Sequence, residues 1–405
     1  MTRPGPSLRL LVVAAAFAVA VVVATGEWAR SHEASVLAAL SLLTAVAVAA
    51  VWEHRGDTPF VVAALAALGF FVVQIGVGGL VAVGAEGLGG LHVALGALSL
   101  AVAVVGAALA FRRGAPVPNG SLRDYVTLTK PRIMSLLVLT GAGGLVLGER
   151  GWPSLGLAVA ALGGLALACG GASALNHVLD RDIDRLMGKR TEKRPIAAGR
   201  VAPGRALEFG LALMALSFVL LTSLVNVLTA GLALLGGAFY VLVYTRWLKR
   251  ATPQNIVIGG AAGAVPPVVG WTAATGDLTL PALLLFLIVF FWTPPHFWAL
   301  ALLIRRNYEV AGVPMLPVVR GDSETARSIL RYSVVMVAIS LLPVAAGTVG
   351  LAYLVSALVL GGAFLALALA LLRRTTPVRA RRLFSYSLAY LALLFVALAV
   401  DPLVL

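Results

Sequence analysis

Charged residues are scarce in this 405-residue chain. Asp, Glu, Lys and Arg together make up 12% of it, against 60% hydrophobic residues, and the mean hydropathy is +0.99. Soluble domains carry roughly twice that share of charge, so a water-soluble fold is excluded. Cysteine is nearly absent: Cys169 stands alone inside an apolar run, which rules out a disulfide framework. Acidic residues are outnumbered, 17 against 31 basic, and a net charge of +14 would suit nucleic acid if the basic residues formed one polar surface. They are scattered between apolar runs instead, so no nucleic-acid partner is expected. No short-period repeat and no organellar presequence is visible. The apolar stretch behind Arg3 and Arg9 lacks a small-x-small cleavage site followed by a soluble domain, and is expected to be a retained span rather than a signal peptide. These absences favour a prokaryotic plasma membrane.

Apolar runs of bilayer-spanning length are what the chain has in abundance. They fall at roughly 8–25, 34–52, 60–83, 91–111, 133–148, 155–178, 204–223, 227–244, 255–273, 279–303, 328–350, 353–372 and 384–401. The expected fold is therefore an all-α polytopic bundle of about 13 transmembrane helices. With a cytoplasmic N-terminus, Arg30 and Arg150 alone lie in outward loops and the other 29 of the 31 Lys and Arg residues fall inside, which fits the positive-inside asymmetry. The same topology puts the C-terminus outside. The stretch RRGAPVPNGSLRDYVTLTKPR (112–132) mixes Gly, Pro, Asn, Ser and charge, and divides a four-helix block, 1–115, from a nine-helix block, 116–405.

Charge returns abruptly in NHVLDRDIDRLMGKRTEKRP (176–195), which holds four acidic and six basic side chains at the cytoplasmic end of an apolar run. Asn176, Asp180 and Asp184 follow an i, i+4, i+8 spacing, so on a helix they share one face over about 12 Å of axis. Three oxygen-bearing side chains on one face suit Mg²⁺, a hard cation that keeps waters and shares its other positions with phosphate oxygens. Lys189, Arg190 and Arg194 follow at once and would complement a diphosphate. A solvated helix end with self-balancing charge is the plain alternative, and Asp182 interrupts the face. Two further polar segments share the same membrane side: YTRWLKRATPQN (244–255), with Tyr244, Arg246, Lys249 and Arg250, and RRNYEVAGVPMLPVVRGD (305–322), with Arg306, Asn307, Tyr308 and Glu309. A mouth ringed by acids and cations above an apolar bundle suits metal-assisted loss of diphosphate from an allylic substrate.

Inside a span, TPPHFWALAL (293–302) carries His296, and intramembrane ionisable groups are usually functional. It could orient a bound ring system, ligate a metal or take a proton from water; bonding to a neighbouring backbone at a proline break is the structural alternative. His177 falls off the metal face. Trp292, Phe297 and Trp298 read as bundle packing before a ligand surface.

NHVLDRDIDRLMGKRTEKRP resembles the N-x-x-x-D-x-x-x-D signature of the UbiA-type intramembrane prenyltransferases. YTRWLKR, NIVIGGAAGAVPPVVGW (255–271), TPPHFWALAL and YEVAGVPMLPVV (308–319) resemble the protohaem IX farnesyltransferase (haem O synthase) branch, in order and on one membrane side. Over roughly 120–403 the resemblance implies a nine-helix bundle, farnesyl diphosphate as donor, haem b as acceptor and Mg²⁺. Asn176, Asp180 and Asp184 would be the metal ligands, with His296 beside the reacting groups. Lys189, Arg190, Arg194, Tyr244, Arg246, Lys249, Asn307 and Tyr308 would line the substrate. The second family motif usually opens with aspartate where this chain has Asn307, so a second metal seat would lose a formal charge.

In the first block, topology assigns His32 and His92 to the outer starts of two helices at similar depth. Facing imidazoles across a four-helix bundle are what bis-histidine haem ligation requires, and ordinary polar helix ends are the equal alternative. FFVVQIGVGGLVAV…LHVALGAL (70–98) resembles half of a haem A synthase, without the outer-loop cysteine pair of many members. That implies a second bound haem, or docking to haem A synthase. The rival functions are a UbiA-type enzyme alkylating an aromatic quinone precursor, a transporter, and a non-catalytic haem-binding assembly factor. Against a transporter, the acidic groups cluster at the inner interface and not at mid-membrane.

Overall fold

A computed structural model of the chain describes residues 120–188 and 191–404. The first four expected spans, the proposed 1–115 unit, His32, His92, Lys189 and Arg190 lie outside the described residues. Every regular element among those described is helical. A short α1 (Leu122–Leu128) leads into α2 (Pro131–Glu149) and α3 (Leu155–Leu179), followed by a short α4 (Arg181–Leu186). Then come α5 (Pro203–Leu224), α6 (Val227–Ala251), α7 (Asn255–Thr275) and α8 (Leu280–Leu303). After the short α9 (Arg305–Val310), α10 (Leu316–Ala345), α11 (Leu351–Arg373) and α12 (Pro377–Val404) complete the chain. Among the described residues, 9 helices are long and apolar enough to cross a membrane, as expected for this block, and the protein is a multi-pass membrane protein.

Most boundaries fall within three residues of the expected ones. Three differ: α6 runs on to Ala251, α12 begins at Pro377, and α10 spans 316–345 where 328–350 was expected. In α10 the polar first turns hide a helix from a hydropathy reading. Gly321, at φ 77°, kinks it between a short leading piece and the span proper, and a left-handed backbone there suits glycine.

Helix α3 packs most extensively on α5, α2 on α7, α7 on α8, and α8 on α10. Small residues let these backbones meet. A Cβ added to Gly171 of α3 would come within 2.7 Å of the Gly210 carbonyl oxygen of α5, and one added to Gly144 of α2 would run into the Pro267 backbone of α7. Polar cross-links within the bundle are sparse and specific. Ser217 Oγ donates to the Gly164 carbonyl (2.6 Å), Asn226 Nδ2 to the Thr272 carbonyl (2.9 Å), and Tyr353 Oη to the Ser340 carbonyl (2.8 Å). At the far end, the buried Asp401 of α12 accepts from the Gly350 and Tyr353 amides and caps α11. All of this leaves one end of the bundle for α1, α4 and α9 and the polar connections.

Candidate active site

The seat is built where α3 ends. The helix breaks at Asp180 (φ −88°, ψ 3°), so the single expected helix is two, α3 and α4. The register survives, because the Asp180 amide still bonds the Asn176 carbonyl and the Asp184 amide the Asp180 carbonyl, both at 2.8 Å. Asn176, Asp180 and Asp184 therefore stay on one face, and all three are buried, at 1–2% exposure. Burial of two carboxylates needs compensating charge, and it comes from three separate elements. Lys130 Nζ donates to Asn176 Oδ1 (2.7 Å), Lys249 Nζ to Asp180 Oδ2 (2.5 Å), and Arg194 Nη1 to Asp184 Oδ1 (2.6 Å). Asn176 Nδ2 completes the row by donating to Asp180 Oδ2 (2.9 Å) and Thr245 Oγ1 (3.0 Å).

Local structure explains each contributor. Lys130 precedes Pro131 and adopts a left-handed conformation (φ 51°), a rare geometry for a non-glycine residue. Ser173 Oγ bonds the Leu128 carbonyl (2.7 Å) and holds this turn against α3. Arg194 sits in a loop fastened on both sides: Thr191 Oγ1 donates to the Asp184 carbonyl (2.6 Å), and Arg200 bridges the Lys193 carbonyl and Asp124 of α1 (2.8 Å to the carboxylate). Lys249 and Thr245 come from α6, whose stretch Phe239–Leu248 is π-helical, a form that recurs at functional sites. Arg250 grips Asp182 with both guanidinium nitrogens (2.6 and 2.7 Å) and the Leu179 carbonyl (2.7 Å), so Asp182 anchors α4 to α6 and is no part of the seat.

The electrostatics follow from this packing. Burial holds the Lys130 ammonium down to about 7, with the nearby Arg194 charge acting in the same direction. Burial raises the Asp184 carboxyl above its ordinary range, opposed by Arg194. Outside the seat, the Ser121 amide and Arg200 lower Asp124 to about 2, and Arg250 holds Asp182 well below the usual carboxylate range.

Other expected site residues divide. Tyr244 stacks on Tyr240 (5.7 Å between centroids), and Tyr308 packs against the core. Arg246 is exposed, and Lys249 and Arg250 rather than Arg246 make the cationic contacts from this segment. Asn307 Nδ2 donates to the Met187 carbonyl (2.7 Å), tying α9 to the end of α4, a bond that an aspartate could not make. Glu309 is exposed and does not replace the missing charge.

His296 is buried, with its ring between Trp292 (4.4 Å) and Phe384 (4.8 Å). Its Nδ1 lies 2.7 Å from Ser387 Oγ, whose own hydroxyl donates to the Phe384 carbonyl (2.7 Å). Ser387 therefore accepts from Nδ1–H and leaves the Nε2 lone pair available. No proline break exists there: α8 runs unbroken through Pro294 and Pro295. His177 is also buried, and neither ring nitrogen has a partner among the described residues.

An Mg²⁺ site is testable on the donor set. Among the described residues no three His, Cys, Asp or Glu side chains gather at one point, so the seat is two carboxylates and one amide oxygen. Its donors are all hard oxygens, and Asp180 Oδ1 is buried with no partner. An acceptor atom in that condition awaits a cation or donor, and the residues fit Mg²⁺ shared with a diphosphate.

The same chain matches known proteins over this region. A curated relative from Symbiobacterium thermophilum, named protoheme IX farnesyltransferase, is 53% identical over 282 residues, covering 69% of this chain and 94% of the relative. Another of that name, from Roseiflexus sp. strain RS-1, is 44% identical over 413 residues, covering 94% of this chain and 77% of the relative. That alignment takes in most of the N-terminal block. Among solved structures, digeranylgeranylglyceryl phosphate synthase superposes with a TM-score of 0.59 at 19% identity, covering 70% of this chain and 99% of the other. A UbiA homologue from Aeropyrum pernix K1 gives 0.51 at 21%, covering 67% and 98%. These two share the fold. The profile of the UbiA prenyltransferase family matches residues 136–397, and the chain belongs to that family.

Proposed function

We propose that this membrane enzyme transfers a farnesyl group from farnesyl diphosphate to a vinyl group of haem b, giving haem O. The observation that carries it is the buried row of Asn176, Asp180 and Asp184, compensated by Lys130, Lys249 and Arg194, in a chain 53% identical to a protoheme IX farnesyltransferase across nearly all of that relative. Asn176, Asp180 and Asp184 would hold Mg²⁺, which when bound supplies positive charge against the diphosphate as it leaves. Arg194 and Lys249 neutralise the carboxylates in its absence, Lys130 holds the Asn176 amide oxygen, and all three are placed to turn toward the diphosphate oxygens, with Lys189 and Arg190 adjacent in sequence. Stabilising that charge breaks the allylic C–O bond. The haem vinyl carbon then attacks the farnesyl C1, and water captures the resulting cation and releases a proton, giving the hydroxyethylfarnesyl side chain. Tyr244 and Tyr308 line the approach. His296, fixed by Ser387 with Nε2 free, orients the porphyrin or receives that proton.

The loops of the seat and the N-terminus face the cytoplasm of a prokaryotic cell, and the C-terminus faces outward, as the inward bias of Lys and Arg supports. For residues 1–115, which lie outside the described residues, we propose that His32 and His92 would hold a second haem, or that the block would dock to haem A synthase. The deciding experiment incubates purified full-length protein with haem b, farnesyl diphosphate and Mg²⁺ and identifies the porphyrin product by mass. Haem O is expected. Alkylation of an aromatic acid with no haem product would replace this reading by the quinone-precursor one.

A further inference from the structure

A polar cavity opens at the same end of the bundle as the seat, between the start of α7, the end of α8 and α10. It encloses about 180 Å³ and is lined by Gln254, Trp298, Arg320, Glu324, Arg331 and Tyr332, among others. Its charge is unbalanced. Glu324 already accepts from Arg327 at 2.9 Å, and Arg331 reaches it only at 3.4 Å. Arg320 is exposed and has no carboxylate partner among the described residues. The cavity thus keeps surplus positive charge. Trp298 is only 2% exposed, and its Nε1–H has no acceptor among the described residues. A buried N–H without an acceptor is costly, and its presence in the wall of a cationic cavity points to a ligand oxygen. One wall is aromatic: Tyr332 meets Trp298 edge-on at 5.2 Å, with Leu316 beside them in the lining. An oxyanion joined to a flat apolar body suits such a place better than a free inorganic anion.

We propose that this pocket binds a propionate carboxylate of the porphyrin acceptor, through Arg320 and Arg331 with Trp298 Nε1–H as a neutral donor. The inference rests on the proposed function. Propionates and vinyl groups occupy opposite edges of haem b, so an anchored propionate determines which edge reaches the farnesyl donor. Porphyrins with esterified propionates would lose both binding and regiochemical control. A lipid phosphate offers the same oxyanion chemistry, so the test separates the two.

Full-length protein in nanodiscs of neutral lipid is titrated by absorbance with haem b and with its dimethyl ester, without farnesyl diphosphate, and KM for each acceptor is then measured. Arg320→Gln is expected to weaken haem b about tenfold in Kd and KM, the value of one charge-assisted hydrogen bond, and to leave the dimethyl ester as in the wild type. Trp298→Phe, which keeps the ring and removes the N–H, should show the same selectivity to a smaller degree. Equal weakening of both acceptors, or of neither, would overturn the proposal. So would an effect of Arg320→Gln that follows the phosphatidylglycerol content of the nanodisc and not esterification, which would assign the pocket to lipid. A wild type that binds haem b and makes no haem O would refute the proposed reaction and leave the pocket to be judged by the binding data.

Discussion

The Asp180–Lys249 pair shows how one contact serves two ends. Both side chains are nearly inaccessible, so removing one leaves a buried charge uncompensated, a loss of about 3–5 kcal/mol. Asp180→Asn should therefore lower both stability and turnover, and stability alone cannot reveal a catalytic role. Adding Lys249→Met removes the stranded ammonium. The double variant should regain its thermal midpoint while turnover at limiting Mg²⁺ stays down by on the order of a hundredfold or more. Recovery of turnover together with stability would mean that Asp180 is only a structural anion. At this scale Asn176, Asp180 and Asp184 were legible because helical spacing is a local property. Lys130 and Ser387 were not: their partners Asn176 and His296 lie 46 and 91 residues away, and nothing in TLTKPR or SYSLAY marks them. Asn307 was legible as a polar residue of the second loop but its contact was not, since its amide bonds a backbone carbonyl 120 residues earlier.

Helix contacts turn on small residues placed against carbonyls. A Cβ on Gly270 of α7 would run into the Gly141 carbonyl of α2, whereas Gly163 and Gly231 have nothing within 4 Å of the same addition. Gly270→Ala is expected to destabilise the bundle by about 1–3 kcal/mol through overpacking, while Gly231→Ala stays near neutral. Thermal unfolding in detergent, followed by tryptophan fluorescence, compares the two, and equal midpoints would show that the α2–α7 contact is not the close one described. The prolines at 266 and 267 belong to the same device. They leave α7 unbroken, and the Pro267 backbone lies where a side chain on Gly144 would stand. A sequence reading sees Gly and Pro as breaks; a bundle interior accepts both, because neighbouring helices constrain the backbone and the absent side chains let helices meet.

Across the whole molecule, the metal seat and the His32–His92 pair are expected on opposite sides of the bilayer. If the pair holds haem, that haem is not the molecule being farnesylated. Full-length His32→Ala and His92→Ala variants should each lose a low-spin bis-imidazole spectrum while still converting haem b to haem O. Loss of farnesylation on removing residues 1–115 would instead make the first block part of the catalytic unit.

By itself the sequence determined the number and order of the nine described spans and the chemical character of the row Asn176, Asp180 and Asp184. In a bilayer each helix must satisfy its own backbone, so spans are local facts, and charge bias at their ends is local too. Tertiary structure alone decided which cations meet which carboxylates, which face of each helix turns inward, and where α10 begins. Lipid is as apolar as the bundle core, so hydropathy does not distinguish a lipid-facing Leu from a packed one; only shape, small residues and long-range polar contacts choose the neighbours.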